Sequence, residues 1–142
     1  MKYLTKELLD HLKYPHYMEG YSFKEIEEVE KMYTCKFPEA YREFLHLMGK
    51  QAYFFTGIDY SMYELSGYRG SAECNLYLDF GDIGLALLKK DDIVFLSSQG
   101  VTHYYMSLSE GENPPVHVIQ EGMRKLEPIQ SYESFTKFLR AR

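Results

Sequence analysis

His103 and His117 come nearest to a metal or catalytic pattern in this chain. They fall on neighbouring predicted strands, and alternation could place both on one face. A zinc site needs further ligands at a recognisable spacing, and neither histidine has them. His11, His16 and His46 form no HxxxH or HExxH pattern. Cys35 and Cys74 belong to no CxxC and have no histidine beside them, so only the fold could bring them to a base. Cys35 reads as a small packed hydrophobe. There is no GxSxG, and Gly81-x-x-Gly84 lacks the lysine and the strand-to-helix context of a phosphate loop. Glu27-Glu28 and Asp91-Asp92 are adjacent pairs, which a regular element points in different directions. They read as solvated surface. No catalytic residue, metal or cofactor is therefore expected.

A different chemistry, protein binding, is suggested between Tyr53 and Asp82. Six aromatic residues (Tyr53, Phe54, Phe55, Tyr60, Tyr63, Tyr68) fall within sixteen positions, in a chain of fourteen tyrosines. Tyrosine suits interfaces because one end is apolar and the other polar. Residues 51–88 also hold Asp59, Glu64, Glu73, Asp79 and Asp82 against a single base, Arg69. An acidic, aromatic surface can attract a cationic protein and then bury area against it. Asp59, Tyr60, Tyr63, Glu64, Tyr68, Asp79 and Asp82 are the candidate partner-binding residues. Two plainer readings stay open. The aromatic residues could pack as a loop over a sheet edge. The basic tract of residues 124–142, with five basic and two acidic side chains, could lie nearby and neutralise the segment.

The elements that would position these residues follow from periodicity. Leu4, Leu8 and Leu12 predict a short helix over residues 2–13, ended by Tyr14-Pro15. Ser22 and Glu25 make a capping box. Ile26, Val29 and Tyr33, with Met32 beside them, give the helix that follows an apolar face. Pro38 suits the first position of a second helix, with Tyr41, Phe44, Leu45 and Met48 as its stripe and Gly49 as a left-handed stop. Residues 52–56 read as a strand, 61–65 as a helical turn, and 74–80 as a strand or extended loop. Asp82 is placed to cap a short helix reaching Lys89. Ile93–Leu96, Thr102–Leu108 and Val116–Ile119 read as an antiparallel meander, with a possible edge strand at Leu126–Ile129. A last helix is expected from Ser131, burying Phe135, Phe138 and Leu139. The order predicts an α+β fold: N-terminal helices and a closing C-terminal helix packed on an antiparallel sheet.

Composition sets the outer limits. One hundred and forty-two residues fit one domain, 1–142, and 45% apolar residues suffice for a core without a disulfide or metal. Sixteen basic and 21 acidic side chains leave a net charge of −5. That argues against direct nucleic-acid binding and is compatible with a basic protein partner. The N-terminal MKYLTKELLDHL is charged throughout, unlike the apolar part of a secretory leader. No apolar run reaches the ~20 residues of a membrane span. A cytoplasmic protein with reduced thiols and no membrane partner is the expectation.

The stretch Tyr21–Gly49 resembles the N-terminal signature of the SUKH superfamily. The matching features are Ile26, Val29-Glu30 and Tyr33, then Phe37-Pro38, Tyr41, Phe44-Leu45 and Gly49. Ser134-Phe135-x-x-Phe138-Leu139 is similar to the family's closing helix, and residues 93–119 to its β-rich part. Where the family often has Asn-Gly-Gly, this chain reads Gly49-Lys50-Gln51. The resemblance implies a non-enzymatic binding domain. One branch holds immunity proteins that occlude a cognate polymorphic toxin, of nuclease or deaminase type. Another holds regulators of cell-wall assembly and glucan synthesis, which have no toxin partner. An unrecognised metal-dependent hydrolase using His103 and His117 is the alternative from another class.

Overall fold

The computed structural model describes residues 1–142. In chain order it contains α1 (Lys6–His11), β1 (Met18–Glu19), α2 (Phe23–Tyr33), α3 (Glu39–Met48), β2 (Gln51–Ala52), α4 (Leu65–Phe80), β3 (Asp92–Ser98), β4 (Thr102–Ser107), β5 (Val116–Gln120), β6 (Gln130–Tyr132) and α5 (Phe135–Arg140). Single 3-10 turns occupy Tyr53–Phe55, Met62–Glu64 and Gly81–Ala86. The fold is α+β, with helices packed on an antiparallel sheet ordered β3-β4-β5-β6.

Short polar side chains start three of the helices by accepting a free backbone N–H. Thr5 accepts from Leu8, and Ser134 accepts from Lys137. Ser22 accepts from Glu25 while the Glu25 carboxylate accepts from the Ser22 N–H, so the predicted capping box forms. The link from α2 to α3 is tighter than its sequence suggests. Thr34 is left-handed at φ 52°, and the buried Glu30 carboxylate accepts the Phe37 N–H at 2.7 Å. Arg42 sits 3.4 Å from the same carboxylate. Glu43, also buried, accepts the N–H groups of Tyr3 and Leu4 at 2.9 Å each, which ties the N-terminus to α3. Pro38 stands one residue before the helix rather than at its first position. Gly49 is right-handed, at φ −69°, so it makes no left-handed stop. A Cβ there would lie 2.7 Å from the Leu45 Cα.

The sheet separates two apolar clusters. On one face Phe95, Leu96, Met106 and Val116 pack with Ile26, Tyr41, Phe44, Leu45, Phe135 and Phe138 in a core of 23 buried residues. On the other, Val94, Tyr105 and Ile119 pack under α4 through Ala72 and Leu76, joined by Leu88, in a cluster of six. β3 can serve both because it is covered on both faces, as its continuous apolar run predicts, and because a bulge lies between Val94 and Leu96.

Several local expectations are corrected. Residues 52–56 do not form a strand: only Gln51–Ala52 pairs, with Met18–Glu19, before the chain turns to send Phe55 into the core beside Phe44 and Phe138. Residues 74–80 are helical, the second half of α4. Leu76 and Leu78 alternate, but Leu65, Ala72 and Leu76 form a buried helical stripe. The 3-10 turn after α4 begins at Gly81 and ends at Ala86, and Asp82 does not cap it. The fourth strand lies at Gln130–Tyr132, just past Pro128, and so the last helix begins at Phe135. Met32 is exposed rather than part of the α2 face. Phe135, Phe138 and Leu139 are fully buried, as expected.

Candidate functional site

The residues singled out between Asp59 and Asp82 sit at the two ends of α4. At 1.5 Å per residue, Glu64 and Asp79 are separated by roughly 22 Å along that axis.

At the N-terminal end, the backbone of Asp59 exchanges two hydrogen bonds with Ser97 of β3, at 2.8 and 2.9 Å, and its side chain is exposed. The Tyr60 hydroxyl accepts the Ala52 N–H at 2.8 Å, and the Tyr68 hydroxyl accepts the Ser61 N–H at 2.9 Å. Both rings therefore have a packing duty. Together with Tyr21, Lys50 and Ile58 they line a hollow of ≈ 300 Å³. Burial pushes the Tyr21 and Tyr68 phenols above their ordinary value. Tyr63 is 47% exposed, lies edge-on to Tyr21 at 5.7 Å and donates to Glu25 at 3.4 Å. Glu64 is exposed.

At the C-terminal end, the Asp79 carboxylate accepts the Gly122 N–H at 2.7 Å and ties α4 to the turn after β5. Asp82 is exposed on the 3-10 turn. Arg69, the single base of the segment, is turned inward. Its guanidinium donates to the carbonyls of Leu88, Lys89 and Asp92 at 2.8 to 3.2 Å. Its Nε lies 3.8 Å from Glu73.

His103 and His117 both stand on the α4 side of the sheet, in the registers His103–Ile119 and Tyr105–His117. They hold different partners. His103 is buried and accepts from Asn75 at 3.2 Å, and Asn75 also donates to the Gly100 carbonyl at 2.8 Å. Burial lowers the His103 pKa. His117 bonds Ser131 at 2.7 Å. No group of three or more His, Cys, Asp or Glu side chains is placed to hold a metal ion. Cys35 is partly buried, which pushes its thiol up, away from the thiolate that a nucleophile needs, while Cys74 is exposed. A groove of ≈ 410 Å³ opens between the end of α2, the start of α4 and β3, lined by Tyr33, Cys35, Phe37, Leu65, Arg69 and Ile93 among others.

Sequence reasoning passed over Tyr77, Leu78, Ile83 and Leu85. All four are exposed, on the last turns of α4 and the 3-10 turn. The available signal was apolar residues lying off the buried stripe, which becomes visible only once 65–80 is read as a helix.

The α+β fold thus carries an acidic, aromatic segment at its surface, several of whose side chains tie the protein's own backbone. Residues 20–141 match the SMI1 / KNR4 family (SUKH-1), and the chain belongs to that family. No curated protein matches it. No helix is long and apolar enough to cross a membrane.

Proposed function

We propose that this chain is an immunity-type binding protein of the cytoplasm. It neutralises a cognate polymorphic toxin domain, of nuclease or deaminase type, by occluding the toxin's basic cleft. The contact surface is drawn from the segment containing Asp59, Tyr60, Tyr63, Glu64, Tyr68, Asp79 and Asp82. The family match over residues 20–141 carries this reading, and the inward turn of Arg69 onto three backbone carbonyls supports the choice of surface. That base is drawn to the carbonyls and lies 3.8 Å from Glu73, so Asp59, Glu64, Asp79 and Asp82 have no ion-pair partner and leave the segment net acidic. Such a surface steers a basic partner and speeds its association, while the aromatic groups slow its release.

The test uses the protein encoded beside this one, purified and passed over the immobilised domain at two ionic strengths. Asp59→Lys with Asp82→Lys should slow association several-fold and flatten its salt dependence. Tyr63→Ala should chiefly speed dissociation. A neighbouring product with no toxin activity that still binds would favour the regulatory reading. Rate constants unchanged by all three substitutions would move the interface to another face.

A further inference from the structure

We infer that the outward face of the last turns of α4, together with the 3-10 turn that follows, is an apolar anchor that seats a basic protein partner. The anchor consists of Tyr77, Leu78, Ile83 and Leu85. This deepens the binding reading above and rests on it.

Leu78 is 71%, Ile83 68%, Tyr77 52% and Leu85 39% exposed, four large apolar side chains within nine positions. The opposite side of α4 is already satisfied, with Leu65, Ala72 and Leu76 buried. At its last turns the helix is therefore apolar on both sides, and an apolar side is normally covered. Here the protein's own chain covers one.

The face is also preorganised. Gly84 is buried against α4: a Cβ there would lie 2.3 Å from the Leu76 carbonyl oxygen and 3.1 Å from the Phe80 Cβ. The 3-10 turn is therefore seated directly on the helix, with Ile83 and Leu85 flanking that contact and exposed. Asp79 fixes the same end of α4 to the Gly122 N–H, and Arg69 fixes its other half. A surface held this way loses little freedom when a partner arrives.

Charge selects the occupant. Asp79 and Asp82 stand among the four apolar side chains, and the segment's single base points away. The adjoining loop carries Glu121 and Glu127 against Arg124 and Lys125, and the stretch after the turn carries Lys89 and Lys90 against Asp91 and Asp92, so neither adds net charge. A second copy, docked about a two-fold axis, would set these carboxylates against one another. A basic protein surface with an apolar projection would pair with both features. Apolar anchors at the centre with charges at the rim is the usual arrangement of a binding hot spot.

The probe is a synthetic amphipathic helix carrying leucines on one face and arginines along its flanks. A matched peptide has serine for each leucine, and another has glutamate for each arginine. The expected result is binding of the leucine–arginine peptide, with amide shifts centred on residues 77–85. Affinity should fall tenfold or more in Leu78→Ser/Ile83→Ser and stay unchanged in Tyr17→Ser, which removes an exposed ring elsewhere. Both sites are exposed, so the variants should fold, and shift mapping on the unaltered protein stands independently of them. Equal affinity for the serine–arginine peptide would overturn the anchor while leaving the basic-partner reading intact. Equal binding of the glutamate peptide, or of none, would overturn both. A concentration-dependent dimer that Leu78→Ser abolishes would assign the face to a second copy and overturn the proposal.

Discussion

α3 and α4 work on opposite faces of one sheet. α3 buries Ala40, Tyr41, Phe44, Leu45 and Met48, and its neighbours α2 and α5 add Ile26, Val29, Phe135 and Phe138. Those rings meet edge-on: Phe44 lies 5.7 Å from Phe135, and Phe95 lies 5.6 Å from both Phe135 and Phe138. α4 is longer, yet the buried cluster on its side of the sheet numbers only six residues, two of them its own. It is held there as much by polar ties: Arg69 to three carbonyls, Asn75 to Gly100 and His103, Asp79 to Gly122. The first face has the features of a stability core. The second places a helix firmly while leaving its outer side uncovered. Long-range packing and surface availability have been divided between the two sides of one sheet.

That division makes its strongest prediction at Phe44. Phe44→Ala should cost ~3–5 kcal/mol, because it opens a cavity among close-packed rings. That is a large share of the ~5–15 kcal/mol typical of a domain, so the whole unfolding transition should move in a denaturant melt. A loss below ~1 kcal/mol would break the comparison. Leu76→Ala, on the other face, should cost less, ~2–3 kcal/mol. It should also act differently, with amide exchange speeding in α4 before it speeds in α3, as expected of a less stable cooperative unit. Equal acceleration in both helices would mean that the two clusters are one.

The same contrast explains what was legible in the sequence. α2 and α3 announce themselves because each has one apolar face and Ser22 with Glu25 marks a start. Their boundaries hold to within one residue at Ser22 and Pro38. The closing helix reveals its buried residues, although not its first turn, because Ser131 and Tyr132 are taken by β6. α4 is hidden for physical reasons. Gly67 and Gly70 lower its helix propensity, no side chain caps its start, and apolar residues on both sides blur the 3.6 period. Leu76 and Leu78 then imitate a strand. The buried carboxylates of Glu30 and Glu43 are equally invisible, since only their backbone partners distinguish them from Glu27 and Glu28. Within the candidate segment, the acidic and aromatic composition was readable. The anchoring of Tyr60, Tyr68 and Asp79 to backbone N–H groups, and the exposure of Tyr77, Leu78, Ile83 and Leu85, required the fold.

A smaller effect, of opposite sign, is expected inside the large core. Tyr41 is fully buried among Phe37, Phe44, Phe95 and Phe135, and its hydroxyl has no hydrogen-bond partner. Burial also drives its phenol well above the ordinary value. An unsatisfied buried hydroxyl costs ~1–3 kcal/mol, and removing it leaves a ring that still packs. Tyr41→Phe should therefore raise stability by about 1 kcal/mol in chemical denaturation. A loss of that size would show that the hydroxyl bonds a buried water.

The smallest effect should appear at the α4 contact as pH falls. His103 Nε2 accepts from Asn75, while its buried Nδ1 has no partner. Protonating the ring would set an N–H against the Asn75 amide and place a charge in a desolvated site. Burial accordingly lowers the folded-state pKa below the ordinary value of 6.5. The unfolded chain then binds the proton first. Stability from this site is intact above about pH 6.5 and is lost as pH falls from there through the folded pKa. The loss is limited because α4 can come away from the β3–β4 turn without the large core opening. Amide exchange in residues 71–80, measured relative to the intrinsic rate at each pH, should therefore quicken below that pH while α3 stays protected, and His103→Gln should flatten the dependence. Parallel acceleration in α3 would show that the sheet's two faces respond to acid as one, and an unchanged profile in the variant would show that a group other than His103 titrates.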